Sequence, residues 1–428
     1  MRPFLLAILV ATTASAQSLT PAERAIARAV DVHNAAALAL LERVVNINSG
    51  TMNFAGVRAV GDIFSRELQV LGFTTRWESE APLPRAGHLV AEHYGPGPKI
   101  LLIGHLDTVF EPSSPFQKFL RIDDSTAKGP GVIDMKGGDV IIVYALRALK
   151  DAGLLDGMHV VVVMTGDEES AGRPLADARR ALVDAARGST AAIGFEDGAG
   201  DPRSAVISRR GATNWMLTTT GVAGHASQIF HDDIGAGAVF EASRILNAFR
   251  EQLSSEPLLA FSPGLVVGGS AVTLDSTWTM GTAQGKTNVV AQSVTVTGDM
   301  RTFTPEQLAK TEAAMRAIVA ANLPRTTARI TFDDGYPPMA PTDGNRRLLA
   351  QYDQASRALG FVPVQAVDPS RAGAADVAFI AGIVPMTIDG VGLSGHDDHS
   401  DKETADLRML PVQTKRAAVL LARLTGMK

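Results

Sequence analysis

The sequence predicts an α/β fold with a mixed, mostly parallel sheet flanked by helices, into which a smaller α+β segment is inserted. Three observations predict it. Short unbroken apolar runs rich in β-branched residues alternate with stretches carrying apolar residues at helical spacing. From about Arg210 the pattern changes to alternating, threonine-rich segments. Unbroken runs suit strands covered on both faces, whereas alternation suits strands with one face in water. The third observation is how the runs end. Val160 to Thr165 stops on Gly166-Asp167-Glu168-Glu169-Ser170, Lys99 to Gly104 on His105-Leu106-Asp107-Thr108, and Thr190 to Phe195 on Glu196-Asp197. Ligand sites in such sheets gather just beyond the carboxyl ends of the strands. One acidic loop alone would be an ordinary solvated turn, but several strands ending in ligand-type side chains describe a site.

In chain order, Met1 to Ser18 reads as a secretory leader, with Arg2 as its basic start, Phe4 to Val10 as its apolar core and Ala14-Ser15-Ala16 as a small-residue cleavage site. Cleavage would leave Gln17 first and place the protein in the periplasm or outside the cell. Pro21 opens a helix over residues 21 to 45, and Val57 to Leu71 forms a second, closed by Gly72. Gly129 to Gly138 is a glycine-rich turn before the helix Val140 to Leu149, and Ala178 to Ala186 is helical in pattern. In the insertion, Thr213 to Gly221 and Ser293 to Met300 read as half-buried antiparallel strands, with helices over Ile234 to Leu253 and Pro305 to Ala321. The doubly wound pattern resumes after Tyr336-Pro337-Pro338. Helices are predicted over Asn345 to Leu359, Asp376 to Ala381 and Leu410 to Leu424, and a last strand over Ile383 to Asp389. The division is thus a leader at 1–18, a catalytic domain in two parts at 19–209 and 337–428, and an inserted domain at 210–336.

Composition narrows the chemistry. Of 428 residues 46% are hydrophobic, enough for two cores. Cysteine is absent, which excludes disulfides, thiolate ligands and a cysteine nucleophile. The formal charge of −5 argues against nucleic acid as a partner, since phosphate binding needs clustered Lys and Arg. No stretch is long and apolar enough for a transmembrane helix, so the mature chain is expected to be soluble and to have no membrane partner.

The candidate ligands at strand ends are His105, Asp134, Glu168, Glu169, Glu196 and His399. On an extended segment His105 and Asp107 share one face, and a carboxylate beside a ligating imidazole fixes its tautomer. Asp134 lies in the middle of the glycine-rich turn, where it would repel a phosphate. A metal ligand at a helix entrance is the better reading there, with a bland turn beside it. Two imidazoles and four carboxylates exceed what one catalytic zinc needs and suit two metals sharing a bridging carboxylate. Nitrogen and oxygen donors favour zinc, with manganese or cobalt also compatible.

These residues sit in motifs that resemble the dizinc aminoacylase and carboxypeptidase family over nearly the whole mature chain. The carriers are Gly104 to Val109, Gly129 to Gly138, Asp167-Glu168-Glu169-Ser170, Phe195-Glu196, Gly224-His225-Ala226-Ser227 and His399-Ser400-Asp401. The resemblance implies that Asp134 bridges two metals, that His105 and Glu196 complete one site and Glu169 and His399 the other, and that Asp107 orients His105. It further implies Glu168 as general base for a metal-activated water. The insertion would be a lid and dimerisation domain, with His225 reaching into the site of a second copy. Asn288 and Arg301 would grip the substrate's carbonyl and carboxylate; the alternative for Arg301 is an ordinary exposed strand residue. His396 is left as a surface residue or loop anchor, and Asp167 as a shaper of its turn. Arg203-Ser204-Ala205-Val206 departs from the glutamate-selective members, and whether Arg209-Arg210 substitutes stays open. The implied activity is hydrolysis of an amide bond next to a free carboxylate in a small peptide or N-acyl amino acid, by a carboxypeptidase or by an N-acyl amino acid deacylase. An inactive peptide-binding protein of the same fold would need damage to the ligand set or to Glu168, and none is visible.

Overall fold

The structure, a computed structural model, describes residues 18–426, so the leader read at 1–18 lies outside the described residues apart from Ser18. Its central sheet has six strands in the order Thr74–Glu78, His88–His93, His159–Thr165, Lys99–His105, Ala191–Gly194 and Thr387–Ile388. The last four are mutually parallel, and the first two join antiparallel along one side. The sheet is mixed and mostly parallel.

Side-chain alternation explains why its strands are apolar throughout. Ile100, Leu102, Val160, Val162 and Met164 pack toward the helices Pro21–Val45, Phe54–Val70, Lys136–Asp151 and Met409–Leu424. Their neighbours Leu101, Ile103, Val161 and Val163 point to the other face and meet Leu182, Ala185, Val377 and Ile380. With both faces covered, every position must be apolar. The first helix begins where Thr20 accepts from the Glu23 amide while the Glu23 carboxylate accepts from the Thr20 amide, a reciprocal cap.

The second sheet orders Ala260–Gly269, Ser293–Thr302, Gly211–Gly221 and Thr326–Phe332, all antiparallel. Helices Gly237–Leu253 and Pro305–Ala320 cover one face. There Trp215, Leu217, Val296 and Met300 meet Ile245, Phe249, Met315 and Ile318. Asn214 and Thr220 on the opposite face are exposed, as alternation requires. Among the described residues no helix is long and apolar enough to cross a membrane.

Several elements differ from the sequence reading. Thr74–Glu78 and His88–His93 were not expected, because Arg76, Glu78, His88 and Glu92 interrupt any apolar run. The strand expected over Ile383 to Asp389 shrinks to Thr387–Ile388; Pro385 has no amide hydrogen to extend the ladder. The segment Ala178 to Ala186 splits into Leu175–Ala178 and Arg180–Ala186 with Arg179 at the break.

The helix expected to start at Val140 begins at Lys136 and so contains Gly137 and Gly138. A Cβ at 138 would lie 2.0 Å from the carbonyl oxygen of Phe195, the residue before Glu196. The glycine lets this helix start touch the end of the strand Ala191–Gly194. Gly138→Ala would gain about 1 kcal/mol of helix propensity but meet a backbone atom that cannot turn away, an overpacking cost of about 1–3 kcal/mol or more. Net destabilisation by chemical denaturation is the expected outcome. A variant as stable as the parent would show that the contact is not tight.

Candidate active site

The parallel strands deliver their ends to one place. His105, the last residue of its strand, is buried, and its Nε2 lies 3.0 Å from Asp134 Oδ1 and 3.6 Å from Glu196 Oε1. His399 arrives on the loop after His396 with a left-handed backbone, φ 58°, and puts Nε2 2.9 Å from Asp134 Oδ2 and 3.1 Å from Glu169 Oε2. Asp134 therefore stands between two imidazoles, with Glu196 on one side and Glu169 on the other. Single donor atoms of His105, Asp134 and Glu196 lie within 4.8 Å of one another, as do those of Asp134, Asp398 and His399. The exposed Asp398 is a further carboxylate that the sequence reading did not include.

These contacts fit cations. Glu169 Oε1 is buried without a hydrogen-bond partner. Burial and the nearby Asp134 push the Glu169 carboxyl up to about 7, and burial with the surrounding carboxylates holds Glu196 well above its ordinary range. Burial opposes a charged His105, but Glu196, Asp107 and Asp134 outweigh it and raise the imidazole's pKa. Carboxylates this close without a thiol among them form the donor set of first-row divalent cations.

Three buried carboxylates position the loops that carry the candidate ligands. Asp107 accepts from the Glu168 and Glu169 amides at 3.0 and 3.1 Å and from the Thr51 hydroxyl at 2.6 Å, with its own Oδ1 3.4 Å from His105 Nδ1. Glu403 accepts from the amides of Gly131, Ile133 and Asp134 at 2.9, 2.9 and 3.2 Å. Asp389 accepts from the amides of Glu196 and Gly390 and pairs with Arg209 Nε at 2.7 Å. Asp167, fully buried, pairs with Arg179 Nη1 at 2.6 Å and accepts from the Gly172 amide, which shapes the turn.

A cavity of about 430 Å³ opens over the cluster, lined by Asp134, Glu168, Glu196 and His399 together with Arg209, Arg371 and His396. His396 is an exposed wall residue and contacts neither His105 nor Asp134 within ion-pair distance. Arg209 is buried and engaged with Asp389 and the Gly373 carbonyl, so it props the wall; Arg210 donates to the Ser370 carbonyl. Arg203 is exposed and forks onto Asp201.

The inserted segment's candidates are not brought to this cavity. His225 is exposed, with Nδ1 2.8 Å from the Ser227 hydroxyl. Asn288, also exposed, accepts from the Ala226 amide through its backbone and so sits beside His225. Arg301 pairs with Asp299 on its own strand at 2.7 Å. Sequence reasoning missed Thr51, Glu403, Asp389 and Arg179, and with Arg179 its second partner Asp376, 2.6 Å from Nε. Glu403 lay four residues past His399 in an acidic run, but nothing local distinguished it from a solvated residue.

The model of Peptidase family M20/M25/M40 matches residues 101–423. Carboxypeptidase G2 of Pseudomonas sp. (strain RS-16) is 27% identical over 396 residues, 90% of this chain and 88% of that protein. Among solved structures, a tripeptidase from Staphylococcus aureus superposes with a TM-score of 0.73 at 18% identity, covering 92% of this chain and 99% of that one. A dinuclear metal binding peptidase from Bacillus subtilis superposes with a TM-score of 0.64 at 16% identity, covering 93% and 100%.

Glu403 offers a test of how the ligand loop is held. In Glu403→Gln one acceptor oxygen becomes an amide donor facing a backbone N–H, so the loop carrying Asp134 should loosen. A drop in metal affinity of about 10–100-fold, the usual cost of losing an outer support, is expected in chelator competition. Unchanged affinity would mean that the strand ends alone place Asp134.

Proposed function

Because the chain belongs to peptidase family M20/M25/M40, we propose that it is a metal-dependent carboxypeptidase, hydrolysing the amide bond next to a free carboxylate and releasing a C-terminal amino acid. Its 27% identical relative, a carboxypeptidase, supports this choice within the family. The observation that carries the mechanism is Glu168. It lines the cavity beside the ligands, yet among the described residues its carboxylate has no imidazole, Lys or Arg within ion-pair distance, unlike Glu169 and Glu196. Next in the chain to Glu169 and unpaired, it is placed to transfer a proton.

His105, Asp134 and Glu196 would hold one divalent cation and Asp134, Glu169 and His399 the other; zinc suits these donors, and manganese or cobalt would fit them too. Bound cations supply acidification of water and polarisation of a carbonyl. Glu168 takes the proton from the attacking water and returns it to the departing amine. Burial, with Asp376, Glu169 and Asp134 acting in the same direction, raises the Glu168 carboxyl well above its ordinary range, toward one suited to both accepting and donating. Asp107 keeps His105 in the tautomer that leaves Nε2 facing Asp134. Arg301 and Asn288 are proposed to bind the substrate's carboxylate and carbonyl.

A second copy is proposed to pack on the inserted segment. Phe230, Val239 and Phe240 are exposed there at 65%, 48% and 50%, and the two phenylalanines line an apolar cavity of about 680 Å³. His225 is exposed and away from its own chain's cavity, as expected for a residue acting on a second copy.

Glu168→Gln should keep two metals by elemental analysis and lose turnover on a panel of C-terminal dipeptides, N-acyl glutamates and N-acyl amino acids that the parent cleaves. Near-normal turnover would remove Glu168 as base. Preference for N-acyl amino acids over dipeptides would favour the deacylase. For assembly, a dimer by light scattering that Phe240→Asp converts to a monomer is expected. A fully active parental monomer would end the role of His225 across subunits.

A further inference from the structure

Tyr336 lies where the chain returns from the inserted sheet to the catalytic one. Its backbone carbonyl accepts from the Ala212 amide, at the start of the strand Gly211–Gly221, so its main chain belongs to the base of the insertion. Its side chain points the other way. The phenol donates to the carbonyl oxygen of Glu168 at 2.9 Å and accepts from Arg179 Nη2 at 2.7 Å.

Arg179 is 1% exposed and fixes the phenol firmly. Its Nε donates to Asp376 at 2.6 Å, Nη1 to the Asp167 carboxylate at 2.6 Å and Nη2 also to the Asp167 carbonyl at 3.1 Å. The Tyr336 ring packs edge-on against Phe379 with centroids 4.9 Å apart. On the other side of the same residue, the Glu168 amide donates to Asp107. The backbone of Glu168 is therefore pinned at its N–H from the catalytic sheet and at its C=O from the insertion's return. Since, among the described residues, the Glu168 carboxylate has no ion-pair partner of its own, these two bonds are what aim it.

We propose that Tyr336 is a positioning residue for Glu168, through which the seating of the inserted domain sets the direction of the base. This rests on the assignment of Glu168 above. Neighbouring contacts seat the same return segment: Asp333 and Asp334 pair with Arg173, and Asp334 accepts from the Leu175 amide. The insertion thus cannot shift at its return without moving the phenol, and the phenol cannot move without releasing the turn that carries the base. The substrate need not touch Tyr336.

The test uses the metal-loaded, full mature chain. Tyr336→Phe keeps the ring on Phe379 and Arg179 and removes only the hydroxyl. It should lower kcat by about 10–100-fold, the range for a small misplacement of a reacting group, with KM and metal content within about twofold of the parent. Tyr352→Phe is the control, since Tyr352 is buried far along the chain between helices and loses an equivalent hydroxyl bond, to Gln413. It should lower Tm and leave kcat unchanged. Arg179→Lys, which cannot bridge Asp376, Asp167 and the phenol together, should reproduce the kcat loss. Parental kcat in Tyr336→Phe, a kcat loss no larger than that of Tyr352→Phe, or a loss that merely follows metal content would overturn the proposal. Assaying Glu168→Gln in parallel separates the two ideas: an inactive Glu168→Gln beside a fully active Tyr336→Phe would sink the positioning role alone.

Discussion

The site depends on carboxylates that stand outside the candidate ligand set but hold the loops that carry it. Asp107, Glu403 and Asp389 each accept backbone amides from a ligand-bearing segment: Glu168 and Glu169, then Gly131 to Asp134, then Glu196. A charged acceptor makes a stronger bond to a backbone amide than a neutral one does. Each pinning carboxylate comes from a distant part of the chain, 61, 269 and 193 residues from the amide it holds. The fold converts three long loop closures into one rigid rim, and only then can ligands on separate strands meet within a few ångströms.

Such an arrangement concentrates negative charge, and a ring of cations offsets it. Arg209 sits on Asp389, and Arg179 on Asp167 and Asp376. Among the described residues, Asp134, Glu169 and Glu196 lack such partners apart from the two imidazoles. Around Asp389, Asp167 and Asp376 the charge is balanced by arginine within the protein, whereas the inner ring faces the cavity. Burying an uncompensated carboxylate is costly, so the two rings are built for different tasks: the outer one for a permanent structure, the inner one for added positive charge.

The sequence displayed the inner ring and concealed the outer one for a physical reason. Ligand types at strand ends are local: Val160 to Glu169 announces both a buried strand and what lies at its carboxyl end. Asp107 was legible because it sits two residues from His105. Glu403, Asp389 and Arg179 act only through contacts made by folding, and no spacing encodes them. The same holds for Gly138, which reads as a turn former but serves a close approach to Phe195. The strands Thr74–Glu78 and His88–His93 were invisible because polar residues on the antiparallel side of the sheet erase the apolar run. Helices with strong periodicity, such as Pro21–Val45 and Met409–Leu424, stood out from the start.

The second sheet poses a different balance. Arg301 pairs with Asp299 two residues earlier on its strand, with the side chains 37% and 41% exposed. An exposed pair of this kind is worth about 0–1 kcal/mol, whereas a carboxylate held by both arms of a guanidinium in a closed site forms one of the stronger charge-assisted contacts. If Arg301 takes the substrate's carboxylate, as proposed, releasing Asp299 opposes it only weakly. The pair then acts as a parking contact that keeps the guanidinium extended without competing seriously with substrate. The catalytic rim shows the reverse design, since Arg179 and Arg209 are buried and committed to two or more acceptors each. Arginines that must stay are buried in networks; the one proposed to switch partners is left on a half-exposed strand with a single weak contact.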